Sequence, residues 1–290
     1  MPMLLTLETA RYEGMPKKLS RENNSSTQIG LGQIRDLSPV SSRNTTKGAL
    51  VKETYAVFKA VNGGLPLTEV KQAILRGDVF QKASYETRRN IKDLINHRYL
   101  AVCPEWIGTA LAKASEKGAI SPEFLSLAYL YFVLRDRLVF DFVTNFIWQR
   151  WVSQSTSIHH ADFLAVLEQQ AEESPQIRKW KESTRDRLVS SDLAALRDFG
   201  LLKGIQKKYI QRPTIAAETV FHLLCILMAE GLEGKALLDA PDWRIFLWSE
   251  ADVVNGLSDL AQRRWINFEK IGRTVILNLV RQPEIRGDLP

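Results

Sequence analysis

The chain has 290 residues, of which 45% are hydrophobic and 25% charged, with a net charge of +6 and a pI near 9.3. This length and apolar content suffice for a full hydrophobic core and leave room for two domains. The positive charge favours an acidic partner. The only two cysteines, Cys103 and Cys225, are far apart in apolar surroundings, which excludes a disulfide framework and indicates a reducing compartment.

Targeting and membrane signals are absent from the sequence. The apolar run at Met3-Leu4-Leu5 is too short for a signal peptide and is soon followed by Glu8. The longest apolar run, residues 125–134, ends at Arg135 and falls well short of the ~20 residues that cross a bilayer. The sequence therefore predicts a cytoplasmic protein with buried helices and no membrane partner.

Residues 1–46 are rich in turn-forming polar residues and in cations, with few apolar residues among them. This composition predicts a disordered basic tail. A tail that follows a phosphate backbone is the alternative.

Residues 47–175 are predicted to form a helical domain. A first helix follows Gly48, a second opens at Pro66, and a third covers residues 84–98. Three short helices in this order indicate a helix-turn-helix. The aromatic-rich segment that starts at Ser121 predicts the main core.

The third helix carries a polar stripe opposite its apolar face. Tyr85, Arg89, Lys92 and Asn96 are spaced i, i+4, i+7 and i+11, and Arg88 lies beside them. Arginine and lysine contact phosphate or guanine, asparagine pairs with adenine, and tyrosine stacks or binds phosphate. The stripe is therefore a candidate nucleic-acid surface, with an ordinary solvated face as the alternative.

Residues 176–290 are predicted to form a second helical domain. A helix over residues 183–199 ends at Gly200, and a β-like segment without acidic residues follows. The candidate phosphate contacts in this segment are Lys203, Lys207, Lys208 and Arg212. An apolar central helix follows over residues 216–230. A helix followed by a basic β-like segment occurs again near the C-terminus. This recurrence is consistent with two winged modules.

The C-terminal segment gives the clearest local pattern. Ser249 and Asp252 form a helix-capping signature, and two β-type runs, residues 265–270 and 274–279, meet at Gly272. Helix followed by a basic-tipped hairpin is typical of a winged helix. Arg264 and Arg273 are its candidate nucleic-acid contacts. The alternative is a protein-docking wing, since the acidic residues of the helix would repel phosphate: Glu250, Asp252 and Asp259.

Catalytic and metal-binding patterns fail on inspection. The segment from Gly231 to Lys235 resembles a phosphate loop. However, Ala229 occupies the position where the motif requires its first glycine, and Ala236 replaces the serine or threonine that would bind magnesium. His159 and His160 are adjacent, so on a helix they would point about 100° apart. His222 and Cys225 are better explained as a satisfied core pair than as metal ligands. We therefore predict a non-enzymatic protein without metal or cofactor.

Several segments resemble the BrxA family of bacteriophage-exclusion (BREX) defence systems. They include residues 47–54, residues 84–99 with Thr87-Arg88-Arg89, and residues 127–151 with Arg135-Asp136-Arg137. Further matches lie at residues 198–202, 242–246 and 275–277, so the resemblance covers roughly residues 47–280. The order and spacing of these segments carry the resemblance.

The resemblance implies a small, mostly helical, non-enzymatic subunit of a phage-resistance system, with nucleic-acid binding as its proposed activity. It also implies the system's methyltransferase, ATPase and phosphatase-like subunits as partners. We therefore expect a mainly α protein with a helix-turn-helix and a C-terminal winged helix with a small β-hairpin, acting as a DNA-binding accessory subunit. The expected ligand is duplex DNA, with RNA as an alternative nucleic acid. The alternative function is a scaffold whose winged units dock other defence subunits.

Overall fold

The computed structural model describes residues 30–45, 47–80 and 84–283, and these residues are mainly α-helical. The N-terminal helices are α1 (Val51–Asn62), α2 (Val70–Arg76), α3 (Tyr85–Ile95) and α4 (Pro104–Ser115). The predicted start of α3 is confirmed, because the Ser84 hydroxyl accepts a hydrogen bond from the backbone N–H of Thr87. Helix α3 then continues into a π-helical turn, Asn96–Leu100, which buries Arg98 and Tyr99.

The centre of the fold is the aromatic-rich segment that the sequence identifies as the main core. It contains α5 (Pro122–Leu134), α6 (Arg137–Asp141) and α7 (Trp148–Val152), with a π-helical stretch, Phe142–Ile147, between the last two. Helix α5 is buried on nearly every side, in agreement with its continuous apolar sequence. The ion pair between Arg137 and Asp141 is confirmed at 3.7 Å.

A three-stranded sheet follows, and three helices separate its first two strands. The elements are β1 (Ser157–Ile158), α8 (His160–Glu173), α9 (Pro175–Arg178), α10 (Glu182–Asp198), β2 (Leu202–Lys203) and β3 (Lys208–Ile210). All pairing is antiparallel and the spatial order is β1-β3-β2. The boundary predicted at residue 175 therefore falls between two strands that pair with each other.

The C-terminal part repeats the order of helix and hairpin. It contains α11 (Ala217–Ala229), α12 (Gly234–Asp239), a 3-10 turn (Pro241–Phe246), α13 (Glu250–Gln262), β4 (Ile266–Ile271) and β5 (Thr274–Leu279). The predicted capping of α13 is confirmed, since Ser249 and Asp252 bond reciprocally through side chain and backbone. The predicted hairpin is confirmed too, with Ile271 opposite Thr274 and Gly272 at φ +60° in the turn.

Residues 30–45 differ from the disordered tail predicted for residues 1–46. Leu31 and Ile34 are fully buried, and the Arg35 guanidinium bonds Glu230 at 2.6 Å and Asp242 at 2.5 Å. Two well-placed apolar side chains and one paired cation suffice to order a segment whose composition is otherwise polar. The remaining tail residues, 1–29 and Thr46, lie outside the described residues.

None of the helices in the described ranges combines the length and the apolar character that a bilayer crossing requires.

Candidate nucleic-acid interface

Helix α10 presents one face to the core and another to solvent. Leu188, Val189 and Leu193 are buried. Ser183, Arg187 and Ser190, spaced four and three residues apart, are exposed on another side of the helix. Within the described part of the chain, Arg187 has no acidic partner. Its guanidinium is therefore available to an anionic ligand.

Of the four acidic residues of α10, Asp192 is buried and Glu182 is exposed in the first turn. Asp186 is paired with His160 of α8 at 3.3 Å. Asp198, at the C-terminal end of the helix, is paired with its neighbour Arg197 at 2.7 Å. Lys179 and Lys181 are exposed just before α10 begins, where the helix dipole adds further positive potential. With two exposed lysines beside the exposed acid Glu182, the N-terminal end of α10 keeps an excess of positive charge that favours phosphate.

The β2–β3 hairpin, which follows the C-terminal end of α10, carries further cations. Lys203 and Lys207 are exposed, and Lys207 Nζ lies 5.5 Å from the centre of the Tyr209 ring. Lys208 is half-buried and donates to the carbonyl oxygen of Ile205 at 2.9 Å. Burial, together with the nearby charge of Arg197, lowers the pKa of Lys208. Because the Lys208 pKa responds to Arg197, the end of α10 and the hairpin lie within electrostatic reach of each other.

Arg212 belongs to the predicted basic segment but lies in a different setting. Its guanidinium contacts the Asp252 carboxylate at 2.6 and 3.0 Å and donates to the carbonyl oxygen of Leu247 at 3.1 Å. These bonds join the segment after β3 to the start of α13. Arg212 therefore acts first as a structural tie.

The stripe predicted on the third helix is only partly exposed. Tyr85 and Arg89 face solvent, and Arg89 is paired with Glu86 at 2.7 Å. Lys92 retains only 22% of its side-chain exposure and is paired with Asp93. Asn96 is half-buried and its Oδ1 is enclosed. Lys92 and Asn96 are therefore less accessible than Tyr85 and Arg89, and Asn96 belongs to the π-helical turn that follows α3.

Arg88, beside that stripe, points back toward α2. Its Nε donates to the carbonyl oxygen of Leu75 at 2.8 Å, and its guanidinium passes close to Gly77. This bond joins α3 to the end of α2. A role for Arg88 in holding the two helices together therefore competes with a role in binding.

Two of the four basic residues at the terminal hairpin are paired with acids of α13. Lys270 is paired with Glu250 at 2.7 Å and Arg263 with Asp259 at 2.8 Å. Arg264 and Arg273 are exposed, and Arg264 has a left-handed backbone with φ +60°. The helix before this hairpin thus supplies carboxylates where α10 presents an unpaired arginine.

A buried polar cluster holds α10 in place, and no local pattern in the sequence indicates it. The Asn44 amide donates to Asp136 and to Asp192, both at 2.9 Å, while its oxygen accepts from Arg98 at 2.8 Å. Burial raises the pKa of Asp136 to about 6. Burial, reinforced by the adjacent Asp136 carboxyl, raises the pKa of Asp192 well above its ordinary value. The cluster connects the N-terminal segment, α6 and α10.

A second buried network attaches the C-terminal end of the chain. Arg281 bonds the Glu218 carboxylate at 2.7 Å through two nitrogens, and Glu218 lies 3.5 Å from His222. Tyr131 contacts the other ring nitrogen of His222 at 2.6 Å. Burial would raise the pKa of Glu218, but hydrogen bonds from His222 and Arg281 outweigh it and lower the pKa to about 2.

The neighbours of His222 therefore differ from the expected core pair with Cys225. Trp106 stacks on the imidazole ring at 4.1 Å, and burial lowers the pKa of His222. Over the described ranges, no three His, Cys, Asp or Glu side chains are grouped to hold a metal ion. The network fits a structural role.

Comparison with known proteins gives two matches. The family model described as BrxA matches residues 39–225, which is more than half of the chain. A protein of Bacillus cereus (strain H3081.97) described as BREX protein BrxA is 24% identical over 176 residues, covering 60% of this chain and 84% of its own length. The family model covers the whole of β1, α8, α9, α10, β2 and β3, whereas α13, β4 and β5 lie beyond it.

Proposed function

Because the chain belongs to the BrxA family of BREX phage-defence systems, we propose that it is a non-enzymatic subunit that binds duplex DNA through α10 and the β2–β3 hairpin. The observation that carries the proposal is the strand order β1-β3-β2, with α10 leading directly into a lysine-bearing hairpin. In a winged helix, the helix before the hairpin enters the major groove and the hairpin lies beside it. The surface defined above fits this arrangement.

The charges support the same assignment. Lys179, Lys181 and Arg187 flank or lie on the exposed face of α10, and Lys203 and Lys207 are exposed on the hairpin that follows it. Cations spread along one face bind the phosphate backbone and release its counterions, so affinity falls steeply as salt rises. Serine side chains at positions 183 and 190 can bond either phosphate or base edges. We therefore expect this surface to bind the phosphate backbone of duplex DNA with little preference for the base sequence.

The test is a salt-titrated binding measurement with a non-specific duplex and the full chain. Arg187→Ala combined with Lys207→Ala removes two cations and should reduce the slope of log K against log salt by about two units. Both side chains are exposed, so the unfolding free energy should change by less than about 0.5 kcal/mol each. Absence of any binding at low salt and micromolar protein would contradict the proposal.

Two matched double variants locate the contact. Arg89→Ala with Lys92→Ala removes two cations from α3, and Arg264→Ala with Arg273→Ala removes two from the terminal hairpin. We expect both to bind nearly as the unmodified protein does. Arg89 and Lys92 are already paired with acids, and Arg264 and Arg273 belong to a unit whose Glu250 and Asp259 carboxylates oppose phosphate. A two-unit loss of slope in the α3 variant alone would transfer the interface to the third helix.

A second candidate function is the docking of another BREX subunit by the terminal hairpin. Its outward face carries Ile271 and Ile276, which are 74% and 51% exposed, and acids of α13 neutralise Lys270 and Arg263. Apolar surface without net charge is better suited to a protein than to DNA. Ile271→Ser with Ile276→Ser should abolish co-purification with co-expressed methyltransferase, ATPase or phosphatase-like subunits while leaving DNA affinity unchanged.

A further inference from the structure

The tip of the β2–β3 hairpin combines one exposed apolar side chain with a surrounding group of cations. Ile205 is 78% exposed in the loop that joins the strands, and Lys203, Lys207 and Lys208 lie on both sides of it. Single exposed apolar side chains are common on protein surfaces. What distinguishes Ile205 is its position at a projecting turn whose charged residues are all positive.

The turn is built to hold Ile205 in one place. Gly204 has φ +93°, and a Cβ at this position would collide with the carbonyl oxygen of Lys207, so the loop closes tightly on itself. The ammonium of Lys208 bonds the Ile205 carbonyl oxygen at 2.9 Å. Lys208 itself pairs with Ile158 of β1, which joins the tip to the three-stranded sheet. A tip held this way loses little conformational freedom when it binds.

From these contacts we propose that Ile205 is an apolar wedge that enters the DNA minor groove and partly unstacks a base step, so that the protein bends the duplex it binds. The inference rests on the proposed function, since it requires that α10 and the hairpin bind DNA. Minor-groove proteins insert isoleucine, leucine or phenylalanine between base pairs while flanking cations hold the phosphates. The minor groove is about 6 Å wide, which admits a narrow turn but not a helix.

A membrane surface is the other ligand that pairs cations with an apolar tip, and the structure favours DNA. Stable membrane association requires a broad apolar face in addition to basic residues. Ile205 stands alone at this tip, because Gly204 has no side chain and Gln206 is polar. One isoleucine provides too little apolar surface for an anchor but is enough for a wedge.

The experiment uses the full chain and a duplex of about 25 base pairs that carries a fluorescent donor and acceptor at its ends, a length over which bending is measurable. The unmodified protein should bring the ends closer and raise energy transfer. Ile205→Ala should bind about tenfold more weakly, because it removes buried apolar surface at the step, and should leave energy transfer at the value of the unbound duplex. The salt slope should not change, since no charge is lost.

Two further variants and a competitor make the readout specific. Ile205→Leu should restore most of the bend. Ile271→Ala removes a similarly exposed isoleucine from the tip of the other hairpin, and should bend DNA as the unmodified protein does. Netropsin, which fills the minor groove of A·T-rich duplexes, should compete with the unmodified protein more strongly than with Ile205→Ala.

The outcomes separate the wedge from DNA binding itself. If Ile205→Ala binds and bends DNA as the unmodified protein does, the wedge is overturned and the proposed function stands. If the unmodified protein does not bind the duplex at low salt, the proposed function fails and the wedge fails with it. Sedimentation with phosphatidylserine vesicles that depends on Ile205, without DNA bending, would assign the tip to membranes and overturn the inference.

Discussion

The two hairpins of this chain follow their helices in the same way and yet carry opposite surfaces. Residues 199–201 connect α10 to β2, and residues 263–265 connect α13 to β4. On the helix before the first hairpin Arg187 is unpaired among the described residues, and the loop lysines have no acidic neighbour along the chain. On the second, Glu250 and Asp259 bind Lys270 and Arg263. The same local order of elements therefore does not determine how the surface charges are paired.

The difference teaches that net charge must be assessed after pairing. The sequence lists basic residues at both hairpins, but a cation held by a carboxylate one turn away adds little to the attraction of phosphate. The exposed apolar residues differ as well, with one isoleucine at a basic tip in the first hairpin and a broader apolar face in the second. These contrasts support DNA binding for the first hairpin and protein docking for the second.

The two units are also attached to the body of the protein by different chemistry. Helix α10 is held by Asp136 and Asp192, which both accept hydrogen bonds from the amide of Asn44. Burial raises the pKa values of these two acids. The terminal unit is held by Arg281 on Glu218, whose pKa is lowered to about 2. The two attachments should therefore respond to pH in opposite directions.

The largest expected effect is on the second attachment. Arg281→Gln removes two charge-assisted hydrogen bonds to a partly buried carboxylate and the contact of the guanidinium with the Trp265 ring at 4.6 Å. We expect a loss of about 2–3 kcal/mol in the free energy of unfolding at pH 7, measured by urea denaturation. Arg263→Gln is the matched control, since its exposed pair with Asp259 contributes less than about 1 kcal/mol.

The pH dependence of this loss follows from Glu218. Its folded pKa lies below the unfolded value of about 4.3, so its contribution is present above that pH and disappears as pH falls toward 2. The difference in unfolding free energy between Arg281→Gln and the unmodified protein should therefore become smaller below about pH 4. A gap of constant size between pH 3 and pH 7 would contradict the assigned role of the ion pair. Under conditions where both proteins are folded, Arg281→Gln should bind DNA with the affinity of the unmodified protein.

The next effect concerns the first attachment and has the opposite sign. The folded pKa values of Asp136 and Asp192 lie above those of the unfolded chain, so their contribution is present below about pH 4 and is lost as pH rises through the folded values. Asp192→Asn retains the shape of the protonated acid and cannot ionise. The unfolding free energy of Asp192→Asn, relative to that of the unmodified protein, should therefore rise as the pH increases above about 4. The rise should be at most about 1.4 kcal/mol per pH unit.

The measurement is thermal or urea unfolding of both proteins across that pH range. Asp186→Asn is the matched control, since Asp186 is an exposed acid of the same helix. Only the difference between each variant and the unmodified protein is informative, because Glu218 and other carboxylates titrate in both. A difference for Asp192→Asn that does not vary with pH would show that this buried carboxyl is not protonated preferentially in the folded state.

Local signals explain which elements the sequence predicts. The capping pair Ser249–Asp252 and the alternation on both sides of Gly272 specify α13 and its hairpin without reference to other parts of the chain. Strand β1 has two residues and pairs with Tyr209 and Lys208 across three helices, so no local pattern indicates it. The role of Asn44 is equally non-local, because Asp136 and Asp192 are distant in sequence.

The candidate site follows the same rule. The lysines of the first hairpin are visible in the sequence because they form a basic segment without acids. Arg187 is less visible, since Glu182 and Asp186 lie nearby on α10 and only the structure shows that Asp186 is directed to His160. Conversely, the helical spacing of Lys92 and Asn96 predicts a shared face but not the turn that covers it. Periodicity assigns a residue to a side of a helix, whereas burial depends on what packs there.

The smallest expected effect tests whether ion pairing with α13 is what lowers the affinity of the second hairpin for DNA. Glu250→Gln with Asp259→Asn would release Lys270 and Arg263 without altering the cap at Ser249. Both acids are exposed, so stability should change by less than about 1 kcal/mol in total. If compensation explains the contrast, DNA affinity at low salt should rise by about two- to threefold and the salt slope should steepen. An unchanged slope would mean that the orientation of this hairpin, and not its charge, keeps it from DNA.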